Sequence, residues 1–303
     1  MAWDMKPLIG ASGQIAFAPV FELTAVTCEL DDHAVRGLGQ FTESFAREHG
    51  GGLTWYQVGE MKRPRRVDSR ATSILSHWFS HPSNLSAPIM GYEAFSGPTA
   101  RPRIPPGLDL ALFPGGRPPV LSVQVLLPVE MVLADPERIV AFAQTALSTF
   151  PLHAGYAGLA IHAAGDPYQG DYSALWPVLV RHPGLSYGDH AVFSSAVPEG
   201  VVAVNWLTFI GSKYVGALGG LDGLSRSTGA GIELAPLGEG GALLRAGDVP
   251  VVGDINRGDW PDAYARVGRL LAPVRISDET FAQLPFWGFD EEAQLAWLTR
   301  FFR

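Results

Sequence analysis

One cysteine, Cys28, stands in 303 residues, so no disulfide can form within the chain and a zinc site would have to be built without a cysteine cluster. Cys28 reads as a small buried side chain rather than a reactive thiol. Charge is scarce at 17% and biased towards acid, with 22 Lys and Arg against 30 Asp and Glu and a formal net charge of −8. That balance disfavours nonspecific attraction to nucleic acid or anionic lipid and suits a basic partner. No uninterrupted apolar run reaches the roughly 18 residues of a membrane-spanning helix. The start, Met1 to Ala18, lacks a basic leader and is read as mature sequence, with a cytoplasmic, reducing location as the default.

What the chain does have is a 47% hydrophobic fraction, enough for a folded core, arranged as alternating strand and helix signals. From Ile15 to Cys28 the sequence is apolar and β-prone. Asp31 and Asp32 then offer N-caps to a helix whose Val35, Leu38, Phe41 and Phe45 recur at helical spacing, and Leu53 to Val58 reads as the returning strand. A second unit of the same kind begins near Val120. There VLSVQVLL reads as a strand, Asp135 and Pro136 open a helix striped by Ile139, Phe142, Ala143, Ala146, Leu147 and Phe150, and Tyr156 to Ile161 returns. Corresponding points of the two units lie about a hundred residues apart, which predicts two related strand-helix-strand halves.

The expected class is α+β, or α/β, with mixed sheets and helices packed on them. The expected organisation is an N-terminal subdomain at 1–100, a Pro/Gly-rich connector at 101–119 and a C-terminal subdomain at 120–303. Proline and glycine from Ser96 to Pro119 are dense enough to predict no regular element through most of that stretch. Arg70 to Ser80 reads as a helix and Ala87 to Phe95 as a strand. Gly231 to Leu237 and Ala242 to Arg245 read as a hairpin joined through Gly238 to Gly241. Asp259 is expected to cap a helix carrying Tyr264, Val267, Leu270 and Leu271 inward, and Asp290 to Glu292 to open a last one with Leu295, Leu298 and Phe302.

Val201 to Leu221 is the stretch around which the rest is organised. It reads as a buried strand, Val201 to Phe209, turning at Gly211 into a short helix that stops at Gly219-Gly220. Asn205 and Trp206 sit in an apolar run where polar tips require partners, which makes them a fixed core junction. Asn205-Trp206-Leu207-Thr208-Phe209 followed by Leu218-Gly219-Gly220 resembles the signature of the type VI immunity family, TsiV-like or TsiT-like proteins. The resemblance extends through His153-Ala154-Gly155-Tyr156-Ala157-Gly158-Leu159-Ala160, Arg181-His182-Pro183-Gly184-Leu185, Gly253-Asp254-Ile255-Asn256-Arg257-Gly258-Asp259 and Trp297-Leu298-Thr299-Arg300-Phe301. It covers most of the chain from about Pro119 onward and is looser before. It implies an antidote, a protein that binds and silences a cognate antibacterial effector; relatives accompany toxins of a restriction-endonuclease-like nuclease type.

Catalytic patterns are thin. His77 and His81 would share a helix face, but the acid expected beside the first histidine of a zinc protease is Trp78, and no third ligand is evident. Asp189, His190, Ser194 and Ser195 supply the residue types of a hydrolytic triad without a G-x-S-x-G elbow, and read as loop. Gly216, Gly219, Gly220 and Gly223 match no phosphate-loop pattern. Met61 to Arg70 holds five of the 22 basic residues but no interleaved aromatics, and reads as a solvated loop. Asp166 to Trp176 mixes acids with Tyr168, Tyr172 and Trp176, a composition that suits an interface as well as a turn into a packed helix. The partner-binding candidates are therefore Asp166, Tyr168, Asp171, Tyr172, Trp176 and Asp189, with Asp254, Asp259 and Asp262 behind them.

Asn205, Trp206, Gly211, Gly219 and Gly220 are structural. The expected function is stoichiometric neutralisation of a type VI effector, a nuclease being one candidate, without catalytic residue, metal or cofactor, and with neither nucleic acid nor membrane as partner. The alternatives are an orphan hydrolase or metal-dependent enzyme using the His77 and His81 region, and an adaptor of the secretion machinery. Monomer and homodimer both stay open.

Overall fold

Thirteen residues, Ile15–Thr27, form the strand at the centre of the sheet (β2), and its alternation decides what lies on either side. Phe21, Leu23 and Ala25 point one way and Val20, Glu22 and Thr24 the other, as a strand's two-residue period requires. A computed structural model describes residues 6–9, 15–59, 61–68, 90–100, 103–113, 118–164, 174–187, 196–284 and 290–303.

The other strands are β1 (Leu8–Ile9), β3 (Trp55–Val58), β4 (Arg65–Arg66), β5 (Met90–Ser96), β6 (Ile104–Phe113), β7 (Val120–Leu127), β8 (Ala154–Ala163), β9 (Leu207–Ile210), β10 (Ile232–Leu237) and β11 (Gly241–Ala246). All join one 11-stranded sheet in the order β10-β11-β9-β8-β2-β7-β6-β5-β3-β4, with β1 on β2. Every ladder among the described residues is antiparallel, with parallel pairing only at the isolated bridges Ala160–Ser186 and Val201–Arg275, so the α+β class holds while the mixed sheets expected from the sequence are not seen. Both strand-helix-strand units enter this one sheet. β7 and β8 are not neighbours, because β2 lies between them.

The helices are α1 (Asp32–His49), α2 (Val129–Ala134), α3 (Pro136–Leu147), α4 (Trp176–Arg181), α5 (Ser212–Ala217), α6 (Gly220–Ser227), α7 (Asp262–Leu271), α8 (Asp278–Gln283) and α9 (Glu291–Leu298). The caps read from the sequence are in place: Asp31 accepts from Ala34 N at 2.9 Å, Asp135 from Arg138 N at 3.1 Å and Asp290 from Ala293 N at 2.9 Å. Leu38, Phe41 and Phe45 of α1 and Ile139, Phe142, Ala143, Ala146 and Leu147 of α3 share one apolar core with Phe21, Leu23, Ala25, Val123, Val125, Leu108 and Leu110 of the sheet. Phe41 sits 6.5 Å from Phe142 and 6.1 Å from Phe150, tying the two helices together.

Three further expectations need correction. Ile104–Phe113 is a strand inside the stretch expected to be irregular. Its prolines, Pro105 and Pro106, fall where the register against β5 skips from Ile104 to Gly107, a bulge that needs no ladder N–H from them. Second, strand β9 begins only at Leu207; Val201 makes an isolated bridge to Arg275, and Asn205 uses its backbone N–H, backbone carbonyl and Oδ1 in a local turn with Trp206 and Thr208 instead of a ladder. Third, Asp259 does not cap α7, whose N-cap position is Pro261. The helix expected at 70–80 lies outside the described residues, and the strand expected from Ala87 is described from Met90 to Ser96.

The local turn places the Asn205 side chain directly over Gly158 in β8, where a side chain on residue 158 would collide with the Asn205 amide. Gly158→Ala is expected to destabilise the fold by about 1–3 kcal/mol through overpacking. Removing the opposing side chain with Asn205→Gly should recover part of that loss. Urea unfolding of the two single variants and the double variant measures the coupling, and strictly additive losses would mean the two residues do not meet.

Candidate interaction surface

α4 is a short helix opened by Pro177 in its first turn and ended at His182, and its last residue reaches across to a distant loop. Arg181 clamps Asp254 with two parallel bonds, Nε to Oδ1 at 3.1 Å and Nη2 to Oδ2 at 2.8 Å. His182 Nδ1 donates to the Gly253 carbonyl at 2.7 Å, and Gly184 N donates to Val252 O at 2.7 Å. Gly184 is glycine for space, since a β-carbon there would strike the Val251 carbonyl.

The loop held in this way closes on itself. Asp254 N donates to Asp259 O at 2.7 Å and Asp259 N returns to Asp254 O at 3.1 Å, around a 3-10 turn at Ile255–Arg257. The Asp254 carboxylate also accepts from Asn256 N at 3.1 Å and lies 3.6 Å from Arg257 Nε. Gly253 and Gly258 have φ of 67° and 69°, the left-handed conformations that let the chain enter and leave so tight a ring. Tyr264, fully buried on α7, accepts from Val251 N through its hydroxyl at 3.0 Å.

The chain's end completes the junction. Arg300 donates to three carbonyls, Pro183 at 2.7 Å, Trp297 at 2.6 Å and Leu185 at 3.0 Å, and its guanidinium lies 3.9 Å from the Trp297 ring centre and 4.7 Å from that of Phe301. Phe301 in turn meets Trp260 at 5.7 Å and Tyr264 at 5.6 Å, both edge to face. Three sequence blocks, 181–185, 253–259 and 297–301, thus form one node.

Its charges are strongly conditioned. The Arg181 guanidinium holds the Asp254 carboxyl below its ordinary range, and Asp254 raises Arg181 in return. Burial pulls Arg300 down to about 9, with nearby Tyr156 acting against it; the three carbonyls and two ring faces around the guanidinium suit its charged form. The node shows solvent large apolar side chains, Val249, Val251, Ile255 and Trp260 on the loop and Val180 on α4, beside the exposed polar Asn256, Arg257 and Asp259.

Chemistry elsewhere is quieter. Among the described residues no three His, Cys, Asp or Glu side chains are placed to hold a metal ion. A cavity of about 90 Å³ near Glu29, His33, Ser212 and Glu239 shares no lining residue with the node. Burial pushes the half-buried Cys28 thiol up to about 11 and pulls His153 down to about 4, leaving both neutral near pH 7. A row of polar side chains, Gln57, Glu93, Asp109, Gln124, Thr24, Tyr156 and Thr208, runs in register across seven strands of the sheet. Thr24, Gln124, Tyr156 and Thr208 are buried, and at the open end Glu93 pairs with Arg103 at 2.7 Å.

Of the partner-binding candidates read from the sequence, Asp166, Tyr168, Asp171, Tyr172 and Asp189 lie outside the described residues, as do His77, His81, His190, Ser194 and Ser195. Trp176 opens α4, half-buried against the core. Asn205 and Trp206 are buried, the indole donating to Gly247 O at 2.9 Å. Gly211 precedes α5, and Gly219 and Gly220, with φ of 85° and 76°, make the turn into α6. Sequence reasoning missed Arg181, Arg300 and the exposed apolar loop. The available signal was a stretch, VPVVGDINRGDW, whose large apolar residues follow neither helical nor strand spacing.

The family TsiV, described as type VI immunity for VRR-NUC, matches residues 117–301. The fold is similar to a solved structure, Pseudomonas aeruginosa T6SS protein PA0821, with a TM-score of 0.78 at 18% identity, over 97% of this chain and 87% of that one. No curated protein matches the sequence.

Two outcomes follow from the node. Arg300→Leu strips three carbonyls of their donor and should cost about 3 kcal/mol or more, with Arg300→Lys between it and the native chain because an ammonium cannot fork; urea midpoints decide this. Asp254 has a folded pKa depressed below its unfolded value. Its contribution is therefore present above the ordinary carboxylate pKa, about 4, and is lost as pH falls through the folded value. Hydrogen exchange at 254–259, normalised for its intrinsic pH dependence, should lose protection below about pH 4 in the native chain. In Asp254→Asn it should be weakly protected at every pH.

Proposed function

Because this chain belongs to the TsiV family of type VI immunity proteins for VRR-NUC, matched across residues 117–301, we propose that it binds a cognate nuclease effector and neutralises it stoichiometrically, without turnover. The family match is the observation that carries this reading. The net charge of −8 fits it, since a nuclease handles a polyanion and presents basic surface that an acidic chain attracts. The node fits it as well: a rigid loop with exposed apolar side chains serves partner recognition better than it serves substrate turnover, which calls for convergent polar groups in a concave pocket. No helix among the described residues is long and apolar enough to cross a membrane. The compartment proposed is the cytoplasm, where a nuclease would meet the cell's nucleic acid.

Neutralisation by binding makes a quantitative demand. Protection should rise in proportion to the amount of this chain and saturate at a fixed molar ratio, with slow dissociation doing the protective work. Co-purification with the product of the adjacent gene, followed by titration of that product's toxicity against this chain, is expected to give a stable complex and a sharp stoichiometric end point. Protection at strongly substoichiometric amounts would instead mean catalysis, and no complex would remove the pairing.

A further inference from the structure

Exposed large apolar side chains are few among the described residues and unevenly spread. Of nine among the described residues, Val249, Val251, Ile255 and Trp260, at 44%, 41%, 43% and 39% exposure, fall in one loop. A fifth, Val180, directly precedes the Arg181 clamped onto that loop. The other four, Ile9, Ile104, Met131 and Leu133, are divided among β1, β6 and α2.

The loop is also preorganised. Its Asp254–Asp259 ring, the bidentate Arg181 clamp and the Tyr264 hydroxyl leave little conformational freedom to be lost on binding. In the same segment Asp248, Asp259 and Asp262 are also exposed; Asp259 and Asp262 form no ion pair among the described residues, Asp248 acts on Arg245, and Asp254 is matched by Arg181 and Arg257. Exposed apolar side chains interspersed with acids that outnumber the bases of the same segment, Asp248, Asp254, Asp259 and Asp262 against Arg257, suit a protein interface, and that charge selects a basic partner.

We infer that the loop 249–260, together with Val180, is the surface on which this chain seats its nuclease effector, against a positively charged face of that protein. The inference rests on the immunity reading above. A second copy of this chain fits poorly, because two acidic loops would be brought together. Nucleic acid and anionic lipid are repelled by the same charges.

The test is calorimetric and kinetic titration of the purified full chain with the product of the adjacent effector gene. Ile255→Asp and Val251→Asp are expected to weaken affinity by about a hundredfold and Trp260→Ala by about tenfold or more. Asp259→Lys combined with Asp262→Lys should slow association about tenfold at low salt and flatten its salt dependence. Ile104→Asp and Leu133→Asp, on exposed apolar positions outside the loop, should leave affinity unchanged. Trp260 packs on Phe301, so thermal unfolding of each variant is measured alongside, and the Ile255 variant, whose side chain is exposed, carries the result if the Trp260 variant loosens the fold.

Native binding with unchanged affinity in folded Ile255 and Val251 variants would overturn the surface while leaving the immunity reading intact. Failure of the native chain to bind would bring down that reading for this pairing and the inference with it. A native dimer that the same variants turn into monomers would reassign the loop to self-association and overturn the inference.

Discussion

The sheet depends on β2 being paired along both edges. Its residues from Phe17 to Val26 are matched with β8 and those from Phe21 to Thr27 with β7, so one N-terminal strand fills the gap between two later ones. Since β7 and β8 are joined only by α2, α3 and their loops, withdrawing β2 would open an edge along each, in the apolar middle of the fold. The stretch matched by the family starts at residue 117, well beyond β2. Sequence likeness and structural dependence therefore have different boundaries. The matched region supplies the node, while the earlier residues supply the strand that pairs with both β7 and β8.

From that sheet the chain builds outward to a node made of polar groups that are almost all satisfied. Arg300 finds three carbonyls and Asp254 finds a fork and a backbone N–H, so burial is compensated by directional bonds rather than by charge alone. Directional bonds fix geometry. That is why the exposed apolar side chains sit on a loop with a defined shape rather than on a floppy one, and why the same residues that stabilise the C-terminal half also determine what it can present to a partner.

Legibility in the sequence tracked the range of the interaction. Capping by Asp31, Asp135 and Asp290 acts within four residues and was readable, as was the hairpin through Gly238 and Gly240. β6 was not, because proline density is a local warning that only the register with β5 could cancel. Nor was the end of the expected strand at Val201, where Asn205 finds its place over Gly158, 47 positions earlier in the numbering. The node escaped for the same reason. Arg181 and Asp254 are separated by 73 residues, Arg300 and Pro183 by 117, and nothing local to any of them announces the partner. The resemblance blocks did contain these residues, but a list of blocks says which residues matter together and not how they touch.

The polar row across the sheet shows why such residues are retained in so apolar a setting. β7, VLSVQVLL, is buried at every position, and apolar packing alone would tolerate it in more than one register. A one-residue slip of β2 would carry Glu22 and Thr24 into the face that holds Leu23, Ala25 and the α1 and α3 phenylalanines. Burying a carboxylate there without its partners costs several kcal/mol, more than most single apolar contacts return. Glu22, which accepts from Thr24 Oγ1 at 3.0 Å, and Gln124, opposite Thr24 and Asp109, therefore act as register marks. The polar groups add little stability of their own. Their placement penalises a slipped register of β2 and so favours the observed alignment on which β8 and the Asn205 turn are built.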